Sequence, residues 1–201
     1  HSNNRKQIII AACIGSFLII VALLLLIEML DRTLRDADRT KRVTGYKVVG
    51  AVPSLSTSRY GGLTKTYVQH SASELTNSLL RFLGKRKSPG VFIINLFSIN
   101  EDSDEETIGN LVCGYMQSRM LNTRFITHGV DFNTNSTQYL LAKNITDFYT
   151  LQGEDILIVA YPPLSESSIP SALLHDANVN ILIASANHGW KTFDKQLCDQ
   201  L

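Results

Sequence analysis

Glu101, Asp102, Asp104, Glu105 and Glu106 place five carboxylates within Ser98–Thr107, directly after the apolar run Val91–Phe97. Carboxylates so close together suggest a hard-cation site, whereas the loop's place after a buried strand is where a nucleotide's phosphates would sit, which five carboxylates would repel. For a cation, oxygen ligands are right, but the stretch SINEDSDEET lacks the glycine and the alternating ligand spacing of a calcium loop. For a nucleotide, the loop would need GxxxxGK[ST], with glycines for close backbone approach, a lysine for charge and a hydroxyl for magnesium. It has neither glycine nor lysine. Acidic residues at a helix start are ordinary stabilisers of the helix dipole, and that is the reading adopted. No metal ligand set, catalytic residue or cofactor-binding set is assigned.

Other reactive side chains are isolated. His128 stands at a strand end, where a base would be useful, but no nucleophile is clearly its partner, so it reads as a polar loop residue. Cys113 lies among Leu111, Val112 and Met116 and reads as core. His188 and Trp190 follow a strand and are expected to open the last helix, with Trp190 a core or interface anchor. Cys13, Cys113 and Cys198 form neither a CxxC pair nor a disulfide framework, as expected of a reducing compartment. Net charge is +1, which gives no electrostatic case for nucleic acid.

The elements that must position these groups follow from apolar patterning. Ile8 to Ile27 carry no charge. As a helix the run spans roughly 30 Å, the hydrocarbon thickness of a bilayer. A secretory signal fits worse, because its apolar region is shorter and ends in a small-x-small site. Arg5 and Lys6 precede the run, whereas Arg32, Arg35, Arg39, Lys41 and Arg42 follow it. That asymmetry predicts residues 28–201 in the cytoplasm, with membrane lipid as a partner of the basic residues. The sequons at Asn135 and Asn144 would then be idle. The chain opens HSNN without Met, so an upstream region on the outer side is expected.

The expected division is residues 1–7 outside, a membrane helix over 8–27, a juxtamembrane helix over 28–45 and an α/β domain over 46–201. Leu30, Leu34 and Ala37 keep helical spacing, and Gly45 ends that helix. YKVVGAVP reads as a short strand closed by Pro53, and Ser54–Thr66 as a loop. Ser71 and Glu74 resemble a capping box opening a helix with Leu75, Leu79, Leu80 and Leu83 on one face. Helices are expected over Glu105–Leu121, residues 134–149, Pro170–Asp176 and Trp190–Leu201. Strands are expected at Val91–Phe97, Thr123–His128, Asp155–Tyr161 and Asn180–Ser185. Unbroken apolar runs mark the first, third and last of these as buried central strands of a mostly parallel sheet with helices on both faces. Ligand chemistry in such a fold belongs to the loops after Phe97, His128 and Tyr161.

Glu28, Leu30-Asp31, Thr33-Leu34-Arg35, Thr44-Gly45 and Val48–Pro53 resemble the second membrane helix and stem of bacterial polysaccharide co-polymerases, the chain-length determinants of capsule and exopolysaccharide export. In one branch of that family the stem is fused to a tyrosine kinase domain of P-loop fold. Ser73-Glu74-Leu75 with Leu79-Leu80, Asn110-Leu111, Asp155–Leu164 with its Pro162-Pro163 pair, and Ala177-Asn178 onward are similar to motifs of that domain. The resemblance implies an inner-membrane protein that forms homo-oligomers and works with the polysaccharide polymerase or export machinery.

Aligning on Asn110, the family's phosphate-loop glycine, lysine and serine fall on Ser103, Asp104 and Glu105, in a loop opened by Ser98. The aspartates after the second strand fall near His128-Gly129-Val130, with Asp131 available only by a shifted register. The aspartate before the proline pair is Ala160. The implied domain is therefore a degenerate P-loop fold without a cofactor, its site positions Ser98, Ser103, Asp104, Glu105 and Ala160 vestigial. Two alternatives stand beside this: an atypical autokinase or NTPase of the same pathway, and a membrane-tethered adaptor unrelated to polysaccharide.

Overall fold

The computed structural model describes residues 2–30, 34, 36–53, 62–84, 90–101 and 104–199. Helix α1 (Ser2–Leu30) contains a segment, Arg5–Leu30, with mean hydropathy 3.1 and no burial against the rest of the chain. It is long and apolar enough to cross a membrane. Its aliphatic side chains, Ile8 to Ile27, point outward all round, as expected of a helix whose solvent is lipid.

The stem is not one continuous helix. Leu34 is outside helical structure, and α2 (Ala37–Thr44) starts afresh behind Asp36. Asp36 is extended, and its carboxylate accepts the Arg39 N–H, so a new N-cap interrupts what helical spacing alone would continue. Gly45 ends α2 at φ 81°, a left-handed conformation that favours glycine. Tyr46 to Pro53 pairs with no strand among the described residues. Val49 and Val52 instead pack against the core beside the third helix.

That helix, α3 (Gly62–Leu83), begins well before the expected capping box at Ser71. Ser73 Oγ lies 2.7 Å from Tyr115 Oη, so polar residues read as a helix start instead join two helices. The expected loop Ser54–Thr66 falls outside the described residues up to Gly61 and is helical from Gly62.

Four strands follow: β1 (Phe92–Ser98), β2 (Thr123–Thr127), β3 (Ile156–Ala160) and β4 (Val179–Ile183). They form one fully parallel sheet in the order β2-β3-β1-β4. β1 and β3 are buried throughout and sit side by side at the centre. β4 is parallel, as expected, but it is an edge strand of the described sheet and only partly buried. Its alternation of Val179, Asn180 and Ile181 fits an edge better than a centre.

Strand parity splits the core in two. Phe92, Ile94, Leu96, Ile156 and Ile158 face α3 and α4 (Glu105–Ser118), meeting Leu75, Leu79, Val112, Cys113 and Met116. Ile93, Phe97, Leu157 and Val159 face the other layer. That layer holds α5 (Thr137–Leu140), a 3-10 turn at Ile145–Asp147, α6 (Ser171–Asp176) and α7 (Thr192–Asp199). The helix expected over 134–149 is thus two short turns separated by Leu141–Asn144. Phe132 and Tyr139 stack here while Phe148 and Tyr161 meet them tilted or edge-on, so aromatic packing, not a helical ladder, holds the segment.

Asn95 is fully buried inside the apolar run of β1. Its amide donates to Leu173 O (3.2 Å) and Asn180 Oδ1 (2.9 Å), and Asn178 Oδ1 accepts Ile93 N–H at 2.8 Å. These bonds lock α6 and β4 to β1. On the opposite face, Gly109 brings α4 against β2. A Cβ there would lie 2.2 Å from the Phe125 ring. Gly109→Ala is expected to cost about 1–3 kcal/mol, because the ring must be displaced. Urea denaturation checks it, and an unchanged midpoint would show that Phe125 swings away freely.

Candidate functional site

The carboxyl ends of β1 and β3 adjoin, which sets the loops after Ser98 and Ala160 together as α/β folds do at ligand sites. Here the two loops bond to each other. Tyr161 N–H donates to Leu96 O (2.9 Å), Leu164 N–H to Ser98 O (2.9 Å) and Ser165 N–H to Ile99 O (3.0 Å). The segment through Pro162-Pro163 thus runs along the exit of β1, buried from Tyr161 to Leu164.

Ser98 is fully buried, and its hydroxyl donates to Asn100 O at 3.0 Å. Ser103 lies outside the described residues. Asp104 caps α4, its carboxylate accepting Thr107 N–H at 2.8 Å. Part of the exposed N–H array that would hold a phosphate is therefore occupied by the chain's own anion. Glu105 Oε1 is buried without a hydrogen-bond partner among the described residues. Ala160 is 1% exposed, registered against Leu96 and Thr127 in the two ladders. A nucleotide with magnesium, which a P-loop fold ordinarily holds, does not fit these residues. Lysine, glycines and strand-end aspartate are absent, and anions occupy the approach.

Asp131, the shifted-register candidate, closes a turn: its carboxylate accepts Thr127 N–H at 2.9 Å and its own N–H donates to Thr127 O at 3.0 Å. His128 N–H donates to Ala160 O at 3.1 Å, while His128 Nδ1 is buried without a partner among the described residues. Cys113 is buried, and burial pushes its thiol pKa up, so it is core as expected. Glu166 follows the proline pair. Its carboxyl pKa is raised by a hydrogen bond to Glu101 and by the nearby charge of Glu105. These groups crowd like charges at the sheet edge. Among the described residues no cluster of three or more His, Cys, Asp or Glu side chains has the geometry to hold a metal.

A cleft of about 300 Å³ lies on the other side of the β1 loop, lined by Asn100, Ser185, Asn187, His188, Gly189 and Lys191. The sequence reading did not assign it. Its only signal was the run of small and polar residues after β4, which resembles any loop. His188 precedes α7 rather than opening it. Its Nε2 lies 2.7 Å from Asp194 Oδ2, which also accepts Lys191 N–H at 2.8 Å. Asp194 is 3% exposed, so one buried carboxylate fixes both the imidazole and the start of α7. Ser185, His188 and Asp194 have the composition of a hydrolytic triad but not its bonding. Ser185 Oγ accepts Asn187 N–H at 3.4 Å, and Ser185 meets His188 through the backbone, His188 N–H donating to Ser185 O at 2.9 Å, with no hydroxyl–imidazole bond among the described residues. Trp190 is buried in the core, as expected of an anchor.

With an all-parallel sheet, helices on both faces and a strand-loop-helix unit at its centre, the molecule is an α/β protein of P-loop kinase-like fold with an N-terminal apolar helix. It is similar to the kinase domain of Escherichia coli tyrosine kinase ETK, with TM-score 0.56 and 11% identity, over 83% of this chain and 88% of that one. At that identity the likeness is one of fold. No protein-family model matches the chain, and no curated protein sequence matches it.

Proposed function

We propose that this chain is a non-catalytic membrane subunit of capsular or exopolysaccharide assembly, whose kinase-like domain acts as a scaffold regulating chain length or export. The observation that carries the non-catalytic part is the exit of β1: Leu164 and Ser165 bond its backbone, and Asp104 caps α4. The polysaccharide part is supported by the stem motif Glu28–Pro53 together with the likeness in fold to a bacterial tyrosine kinase domain. On this reading α1 spans the inner membrane with the α/β domain in the cytoplasm. Copies of the chain associate with one another and with the polymerase or export machinery.

The detergent-solubilised full chain is expected to show no stabilisation by millimolar ATP with magnesium. A nucleotide at a hundred times its dissociation constant would add about 2.7 kcal/mol, which a thermal-shift titration reads easily. A saturable shift abolished by EDTA would sink the scaffold reading and promote the atypical NTPase or autokinase. Replacing Asp104 by Lys and Glu105 by Ser together is expected to restore nothing, because the glycines and the strand-end aspartate are missing too.

A further inference from the structure

We propose that the β4 end of the sheet's carboxyl edge, at the cleft beside His188, is the part of the domain held nearest the lipid headgroup layer. It is set there by a two-point clasp in the stem. This orientation rests on reading α1 as a membrane span.

The first point of the clasp is Leu34. Its N–H donates to His188 O at 3.3 Å, and its side chain is buried in the same core cluster as Trp190 and Cys198. Leu34 is only four residues beyond Leu30, the end of α1. Four residues reach about 14 Å at full extension, and the 3.3 Å bond adds to that, so the His188 carbonyl lies within about 18 Å of the end of the apolar helix. The second point is the ion pair between Arg39 of α2 and Glu28 in the last turn of α1. Val43, on the same short helix, packs against the core cluster that contains Cys198. Just past α2, the Tyr46 phenol pKa is raised by partial burial and by the neighbouring Cys198 and Asp199 of α7. α2 therefore touches both the end of the membrane helix and the domain.

Such a stem does not leave the domain free to tumble. His188 belongs to the loop after β4, at the carboxyl edge, and the cleft residues Asn100, Ser185 and Lys191 share that edge. The amino edge is the far side. Asn122 O accepts the N–H groups of Asp155 and Ile156 there, a strand length away. A five-residue strand rises about 17 Å, so the two edges differ in depth by about that much if the sheet stands upright.

The test uses the full chain in phospholipid nanodiscs, with the three native cysteines replaced and one spin label at Asn187 or at Asn122. Depth is read by paramagnetic relaxation against labelled headgroups. The label at Asn187 is expected within about 20 Å of the phosphate plane, and the label at Asn122 at least 10 Å deeper into solvent. In L34A/R39A the two distances are expected to broaden and converge, while circular dichroism stays unchanged. Equal or inverted distances in the otherwise native chain, with the protein retained in the bilayer after an alkaline wash, overturn this orientation alone. Release by the wash overturns the membrane reading and the orientation together.

Discussion

Ala160→Asp is expected to destabilise the domain by about 3–5 kcal/mol and to create no magnesium site. The position is where a P-loop fold carries its strand-end aspartate, so the substitution looks like a repair. Ala160 is 1% exposed and hemmed in by Leu96 and Thr127 on the neighbouring strands. By parity with Ile156 and Ile158 its side chain points to the α4 side, where Asp104 and Glu105 already stand. An uncompensated buried carboxylate costs several kcal/mol, a large share of the 5–15 kcal/mol that holds a domain together. Burial raises the folded-state pKa of such a group. The penalty should therefore be absent below the unfolded value near pH 4 and grow as pH rises above it. Urea denaturation at pH 4.5 and pH 7.5 measures this, with Ala160→Asn as the uncharged isostere whose cost should not vary with pH. A variant as stable as the parent, gaining magnesium-dependent stabilisation by ATP, would show that the site was merely unfurnished rather than closed.

Alkaline pH should unfold the domain more steeply than an ordinary surface titration would. Tyr139 and Tyr161 are essentially fully buried, and burial pushes both phenols well above their usual value of 10. Cys198 is pushed up to about 11 by burial, with Asp194 and Asp199 adding to the shift. Each group is an acid whose neutral form the fold favours. The associated stability is complete below the unfolded-state pKa and disappears as pH rises toward the folded value. Stability should be flat to about pH 8.5 and then fall. Above pH 10 each buried phenol removes about 1.4 kcal/mol per pH unit. Urea midpoints from pH 8 to pH 11, with phenolate absorbance followed in parallel, test this. Phenylalanine at both positions should flatten the curve, and Tyr139 loses little thereby because its hydroxyl has no partner among the described residues. A midpoint constant to pH 11, or all phenols titrating near pH 10 in the folded chain, would defeat the prediction.

Long-range composition and local periodicity were enough for part of this protein. Ile8–Ile27 announces a lipid-compatible helix whatever the rest of the chain does, because a run that long and apolar has one economical environment. VFIINLF and DILIVAY announce strands buried on both faces, and β1 and β3 are the fully buried central pair. The mismatch between SINEDSDEET and a phosphate cradle was equally legible, since it concerns which side chains are present at all. Other features depend on which surfaces meet. The apolar stretch Ile181–Ile183 of β4 reads like β1, yet the strand lies at the edge because nothing in the described sheet pairs with its outer side. Residues 134–149 have helical composition, but packing of Phe132, Tyr139 and Phe148 outweighs a weak propensity and bends the segment into two turns. Asp36 breaks the stem because its carboxylate finds the Arg39 N–H, a local contact that heptad-like spacing does not reveal. Asp194, Asn95 and Leu34 look like a surface acid, an interruption and a helix residue. Packing makes them a buried clamp, a polar lock and an anchor at His188, for burial and hydrogen-bond partners arise only when distant segments are brought together.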